Sequence, residues 1–185
     1  ILTLNIFLRP YFINSYGINF YAFMNKKCNF FDIFRGDCKN YRLQCLFDNI
    51  KKEKYDIICL QEIFDHITNR NFNRIKEFSK KNGYHLSFPL NKKCNFKASS
   101  GLCILSKFKI IQDNFVYYQS KIYFPNIYVD NGFQHIKIIK DNKIYNIINV
   151  HLQSGYKKYK QDVRYKQLYE INTYIDNNID SSENV

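Results

Sequence analysis

Three polar residues lie at positions where apolar runs of the sequence are interrupted or end. Asn5 interrupts the run Leu2–Leu8, Glu62 follows the apolar run 57–60, and His151 ends the run that begins at Ile144. Mg²⁺ is held by few protein ligands and keeps several waters, so one carboxylate on rigid core backbone beside a cleft suits it. The sequence therefore predicts Glu62 as a Mg²⁺ ligand, with an ordinary loop acid as the alternative.

Asn5 and His151 each allow a structural and a functional interpretation. An Asn in an opening strand either bonds neighbouring backbone or faces a site from the strand end. A strand-end His is either a satisfied structural group or a donor to an anion. The other histidines, His66, His85 and His135, have no partners at an informative spacing, and we predict that they are structural.

Composition predicts one globular domain that spans residues 1–185. The chain of 185 residues is 45% apolar and 18% aromatic, which is enough to bury one sizeable core. The net charge of +12 favours an anionic partner. We discount this argument from net charge, because an abundance of Lys, Asn, Ile, Tyr and Phe without Trp is typical of an AT-rich genome. The lysine pairs are scattered and predict solvated faces: 51–52, 80–81, 92–93 and 157–158.

Cysteine and hydropathy patterns exclude several classes of protein. The six cysteines form no CxxC pair, so neither a zinc site nor a redox motif is indicated. Cys59 and Cys103 lie in apolar runs and are predicted to be core thiols, which favours a reducing compartment such as the cytoplasm. No apolar run approaches the roughly 18 residues of a membrane span. The chain starts at Ile1 rather than Met, so we expect either a processed protein or a fragment.

Periodicity predicts α+β layers, with sheets packed between outer helices. We expect a long loop over 9–36, with a loop that contains one short helix as the alternative, and Asp37 is a candidate cap of the first helix. In the last helix we expect Val163, Leu168, Ile171 and Ile175 to face inward. The predicted strands are Leu2–Leu8, Asp56–Leu60, Tyr84–Phe88, Gly101–Ser106, Ile110–Gln119, Phe133–Ile139 and Ile144–His151. The predicted helices are Asn40–Lys54, Asn71–Lys81 and Asp162–Asn177.

Four motifs carry a resemblance to a known family. LTLNIF, LQEIFD, SSGLCILSK and NVHLQ occur in this order along the chain. In order and spacing they resemble the endonuclease/exonuclease/phosphatase superfamily, over Leu2 to Ile175. Within it, the chain is most similar to neutral sphingomyelinases, because of SGLCILSKFKI, the FD after QE, and HLQ followed by a helix with Arg and Gln-Leu.

The resemblance implies a four-layer α/β/β/α sandwich and a Mg²⁺-dependent phosphodiesterase. Glu62 matches the family's metal ligand, and His151 and Asn5 match its catalytic phosphate-contacting and orienting residues. The implied reaction converts sphingomyelin, a choline phospholipid at a membrane surface, to ceramide and phosphocholine. A DNA or RNA nuclease of the same superfamily is the alternative.

The sequence departs from the family pattern in two respects. Asp176-Asn177-Asn178 has the spacing of the family's Asp-x-Asn motif but closes the last predicted helix, and no C-terminal Asp-His pair precedes Val185. We therefore expect an N-terminal fragment of the domain that is nearly inactive alone. If the chain is complete as written, a non-catalytic binding domain is the alternative. Sphingomyelinases also usually carry a Lys before the Gly of the segment Val129–Gly132, where this chain has Asn131.

Overall fold

The structure is a computed structural model that describes residues 1–8, 39–64, 70–89, 98–124 and 126–185. The expected loop 9–36, the Asp37 cap and His66 lie outside the described residues, as do 90–97 of the polar segment before Gly101.

The described residues form seven strands and three α-helices. In chain order these are β1 (Leu2–Leu8), α1 (Lys39–Glu53), β2 (Ile57–Ile63), α2 (Arg70–Lys81), β3 (His85–Ser87), β4 (Cys103–Ser106), β5 (Ile110–Tyr117), β6 (Gly132–Lys140), β7 (Lys143–Val150) and α3 (Lys158–Asn178). A 3-10 turn, Asn126–Tyr128, lies between β5 and β6. Every predicted strand and helix is present; β1 has the predicted bounds, and the ends of the others are shifted.

The strands form two sheets. The first has the order β1-β2-β4-β3 and the second the order β5-β6-β7. β1 pairs with β2 in parallel, whereas the other pairs are antiparallel. β2 is one of the two inner strands of the first sheet, and all seven of its residues are buried.

Three clusters of apolar side chains define four layers. α1 and α2 bury residues such as Leu43 and Ile75 against the outer face of the first sheet. Ile57 and Ile104 of that sheet pack against Ile136 of the second. On the far side of the second sheet, Ile171 of α3 packs with Phe133 and Tyr118. The order helices, sheet, sheet, helix confirms the predicted α/β/β/α sandwich.

Helix α3 corrects one part of the predicted core. It begins at Lys158 rather than Asp162, and Leu168 is exposed, not inward. Gln167 is buried in its place, and its Oε1 accepts the backbone N–H of Gln153 at 2.9 Å. The helical period correctly predicted that Val163 and Ile171 are buried. It could not predict that Gln167 is buried beside them in order to accept a hydrogen bond from the Gln153 backbone.

The C-terminal residues lie along the edge of the second sheet. Asn184 forms a parallel bridge with Tyr145 of β7, and the backbone N–H of Asn146 donates to the Asn184 carbonyl at 2.8 Å.

Candidate active site

Glu62 lies inside β2, and not after the strand as the sequence predicted. Glu62 is 3% exposed and lies on an inner strand of the first sheet. Asn5 of β1 donates from Nδ2 to Glu62 Oε1 at 2.9 Å. His151, the first residue after β7, places Nε2 at 3.5 Å from the same oxygen. The structure thus brings together the three residues that the sequence singled out, from both sheets.

An unusual backbone conformation directs the Glu62 side chain. Its φ is +62°, in the left-handed region that non-glycine residues seldom adopt. Ile58 and Leu60 pack on the helix side and Gln61 contacts the second sheet, so strict alternation would place Glu62 on the helix side. Instead it contacts His151. The register between β1 and β2 also shifts just past Asn5, as is common beside active sites.

The three side chains differ in exposure. The Glu62 side chain is 4% exposed, that of His151 is 24% exposed, and Asn5 is exposed. A ligand would therefore reach the buried Glu62 carboxylate past the exposed Asn5 and the partly exposed His151, at the rim of the sandwich. Clefts of about 370 Å³ and 490 Å³ lie elsewhere, beside Tyr169 and Glu170 of α3.

A second contact between the sheets lies directly behind this cluster. Gln61 donates from Nε2 to Asn149 Oδ1 at 2.7 Å, and Asn149 donates from Nδ2 to the Leu60 carbonyl at 3.0 Å and to the Cys103 carbonyl at 3.3 Å. Gln61 precedes Glu62, and Asn149 lies two residues before His151. This buried contact, the intersheet tie, holds the two sheets together where the site residues meet.

The chain matches the model of one protein family over most of its length. The match covers residues 5–170 with the description Endonuclease/Exonuclease/phosphatase family. The chain belongs to this family. A search of curated proteins by sequence found no match.

Solved structures share the family's fold. A mutant of beta toxin from Staphylococcus aureus with bound magnesium ions aligns at a TM-score of 0.72 and 18% identity, over 98% of this chain and 60% of that chain. Sphingomyelinase C from Streptomyces griseocarneus gives 0.67 and 18%, over 98% and 60%. Truncated TDP2 from Caenorhabditis elegans gives 0.54 and 19%, over 75% and 51%. The chain spans about three fifths of the two better-matched structures.

Members of this family are hydrolases that act on phosphodiester bonds, and they typically depend on a divalent metal. Within the described residues no group of three His, Cys, Asp or Glu side chains converges as a metal cage. The donors at the site nevertheless suit Mg²⁺, because the Glu62 carboxylate is a hard oxygen ligand and Mg²⁺ binds through one or two carboxylates with waters and substrate phosphate. No enclosed protein cage is required.

Two features of the site escaped the sequence analysis. The polar partners of the intersheet tie lie 88 positions apart, so their pairing has no local signal. Gly101 (φ +72°) accepts the Ile63 N–H at 2.8 Å, and a Cβ on it would lie 2.8 Å from the Phe64 ring and 3.2 Å from Glu62 Cα. A glycine directly before a buried strand, as Gly101 is, was the available sign that another stretch of backbone packs closely against it.

Other predicted residues have structural surroundings. Cys59 and Cys103 are buried free thiols, as predicted, and burial raises the pKa of Cys59 to about 11 and the pKa of Cys103 above its ordinary value. Asn131 is buried and donates to the carbonyls of Asn126 and Val129 at 2.6 and 2.7 Å. It stabilises its own loop. His85 is exposed on β3.

Proposed function

We propose that this chain carries the metal-binding and phosphate-contacting residues of a Mg²⁺-dependent phosphodiesterase that acts on a sphingomyelin-type lipid. The observation that supports this is the buried Glu62 carboxylate, bracketed by the Asn5 amide and the His151 imidazole at the rim of the sandwich. The lipid substrate is favoured over nucleic acid because the beta toxin and sphingomyelinase structures align over 98% of the chain, against 75% for TDP2.

The proposed division of labour follows from the chemistry of each side chain. Glu62 would bind the Mg²⁺, which when bound neutralises charge that develops on the phosphate oxygens. Asn5 has no titrating proton, so its donated hydrogen bond orients the carboxylate. His151 Nε2 can donate to a non-bridging phosphate oxygen once substrate lies beside Glu62.

The proposed mechanism also requires a general base that activates the attacking water, and we assign this role to none of Asn5, Glu62 and His151. The family resemblance implies that an Asp-x-Asn motif supplies this base. General base catalysis contributes roughly 10²- to 10⁴-fold. We therefore expect residues 1–185 alone to be nearly inactive.

The first test uses the full-length gene product. It measures the release of phosphocholine from sphingomyelin vesicles in the presence of Mg²⁺ and in the presence of EDTA. Glu62→Gln should lower the rate by at least about 100-fold and weaken Mg²⁺ binding measured by calorimetry, since the anionic ligand is lost at nearly unchanged size. The matched control is Glu53→Gln, because Glu53 lies at the end of α1 in an exposed ion pair with Lys52. Full activity in Glu62→Gln would refute the metal assignment.

The second test varies the substrate. Hydrolysis of a DNA or RNA oligonucleotide without release of phosphocholine would retain the phosphodiesterase and refute the lipid substrate. Robust turnover by residues 1–185 alone would refute the need for a further base.

A further inference from the structure

Two loops beside the candidate site form one surface. The segment 121–127 follows β5, and the segment 155–160 follows the site residue His151 and enters α3. Lys160 Nζ donates to the Phe124 carbonyl at 2.8 Å, and the rings of Tyr123 and Tyr159 meet edge to face at 4.7 Å. The exposed side chains of these loops, here called the aromatic-basic surface, are Lys121, Phe124, Ile127, Tyr156, Lys157, Lys158 and Tyr159.

Large apolar side chains of this surface are open to water. Tyr156 is 94% exposed, Phe124 66% and Ile127 41%. Single exposed apolar residues are ordinary, but several on adjoining loops mark an interaction site. These three come from two segments that contact each other, and together they can enter an apolar phase.

Charge on the surface has one sign. Neither 121–127 nor 155–160 contains Asp or Glu, whereas the two segments carry four lysines. Three of them, Lys121, Lys157 and Lys158, are exposed. The sequence alone predicted that the pair 157–158 is a solvated face, but the fold adds Lys121 and aromatic tips beside it. Lysines close to an anionic bilayer strengthen binding by about fivefold each.

The base of this surface is fixed. Gln153 Oε1 accepts the Tyr123 N–H at 2.9 Å, and Ser154 Oγ donates to Asn126 Oδ1 at 2.9 Å. Arg164 donates to the carbonyls of Gln153 and Gly155 at 2.9 and 2.7 Å. Because the loops are already ordered, little conformational entropy is lost when their tips bind a partner.

We propose that the aromatic-basic surface docks the protein on a membrane that contains anionic lipid. Aromatic and aliphatic tips suit the headgroup–acyl boundary, and the lysines beside them suit anionic headgroups. On the second loop the surface begins at Tyr156, five residues after His151, so docking would bring the site to the headgroup layer. That consequence rests on the proposed function, whereas the docking itself does not.

Vesicle flotation in EDTA tests the docking without catalysis. Wild-type protein should bind phosphatidylcholine vesicles with about 30 mol% phosphatidylserine, weakly bind pure phosphatidylcholine vesicles, and dissociate at high salt, since surface charges are screened. Changing Lys121, Lys157 and Lys158 to Gln should reduce partitioning by about 100-fold. Phe124→Ser with Tyr156→Ser should reduce it at least about tenfold, because the inserted rings are lost.

The matched control changes Tyr165 and Tyr169 to Ser, since these tyrosines are 71% and 75% exposed on α3 but outside the two loops. This variant should bind vesicles like the wild type. Equal loss in the control, or wild-type binding by the loop variants, would overturn the proposal. Circular dichroism confirms that each variant is folded.

Further measurements separate this proposal from the proposed function and from nucleic-acid binding. Glu62→Gln should bind vesicles like the wild type, and the loop variants should hydrolyse a soluble phosphodiester like the wild type. Hydrolysis that persists while vesicles are ignored would overturn the docking surface alone. Binding of a single-stranded oligonucleotide through the same lysines and tyrosine, without vesicle binding, would assign the surface to nucleic acid instead.

Discussion

Two histidines of the second sheet have opposite surroundings. His151 lies after the end of β7, is partly exposed, and faces the Glu62 carboxylate of the other sheet. His135 lies inside β6, is fully buried, and has both ring nitrogens within 2.9 Å of a polar partner. One cluster is accessible to a ligand, and the other is enclosed by protein.

The hydrogen bonds around His135 define its tautomer. Asn146 donates from Nδ2 to Glu183 Oε2 at 2.9 Å, so its Oδ1 faces the ring and His135 Nε2 carries the proton. His135 Nδ1 then accepts from the Tyr174 hydroxyl. Burial holds the pKa of His135 below its ordinary 6.5, so the ring is neutral. This cluster joins β6, β7, α3 and the C-terminal segment.

The comparison teaches where polar groups serve stability and where they serve a ligand. The His135 ring has a partner on each nitrogen, and loss of the ring would leave buried groups unsatisfied. At the site, by contrast, a strained backbone places a carboxylate between two sheets beside solvent. Strain of that kind occurs at functional sites.

The largest expected difference is in stability. His135→Ala should lower the free energy of unfolding by about 3–4 kcal/mol, because it removes two buried hydrogen bonds and leaves a cavity beside Tyr174. His151→Ala, at the partly exposed rim, should lower it by less than about 1 kcal/mol but reduce turnover. Urea unfolding measures the first effect. Equal destabilisation by the two changes would remove the distinction between the clusters.

The next effect concerns the intersheet tie behind the site. Asn149→Ala should cost about 2–3 kcal/mol, since the Gln61 amide and the carbonyls of Leu60 and Cys103 lose their buried partner. It should also weaken Mg²⁺ binding, because Glu62 and His151 lose their common anchor. Asn114→Ala, on the exposed strand β5, is the control and should change neither. Unchanged Mg²⁺ affinity in Asn149→Ala would confine the tie to folding.

The sequence predicted the layers and singled out three residues that the structure brings together, but not what positions them. Periods of 3.6 and 2 located every helix and strand of the described residues, and motif order located Asn5, Glu62 and His151. The left-handed Glu62 follows no local propensity. The partners of His135 come from β7, α3 and the C-terminal segment, so only tertiary packing defines them. The prediction that Leu168 is buried was wrong, because Gln167 is buried instead and accepts a hydrogen bond from the Gln153 backbone.

A smaller effect isolates the backbone geometry of the site. Gly101→Ala and Gly83→Ala both place a Cβ at positive φ, at +72° and +67°, which costs roughly 1 kcal/mol in each. At Gly83 the nearest atom is 3.9 Å away, whereas at Gly101 the Cβ meets the Phe64 ring at 2.8 Å. We expect an additional loss of about 1–2 kcal/mol and weaker Mg²⁺ binding only in Gly101→Ala. Equal losses would indicate that the close approach to Glu62 is unimportant.

The smallest effect is a pH dependence that belongs to the buried cluster. Because the pKa of His135 is lower in the folded protein than its ordinary 6.5, the unfolded chain binds more protons in the interval below 6.5. Stability should therefore fall as the pH decreases through this interval, by at most about 1.4 kcal/mol per pH unit. Lys137 and Glu183 face the ring environment with opposite charges, and they form an ion pair at 2.7 Å.

The carboxylates of the same region act in a lower interval. Hydrogen bonds from Lys137 hold the pKa of Glu183 below its ordinary 4.5, so the stability that it contributes is present above that value and is lost as the pH falls below it. Urea unfolding at about pH 7 and about pH 5, on wild type and His135→Gln, separates the two intervals. The difference between these proteins should shrink on acidification, since only the wild type carries the buried imidazole. A constant difference would mean that His135 does not titrate differently in the folded and unfolded states, and the neutral buried histidine would then be the wrong description of that cluster.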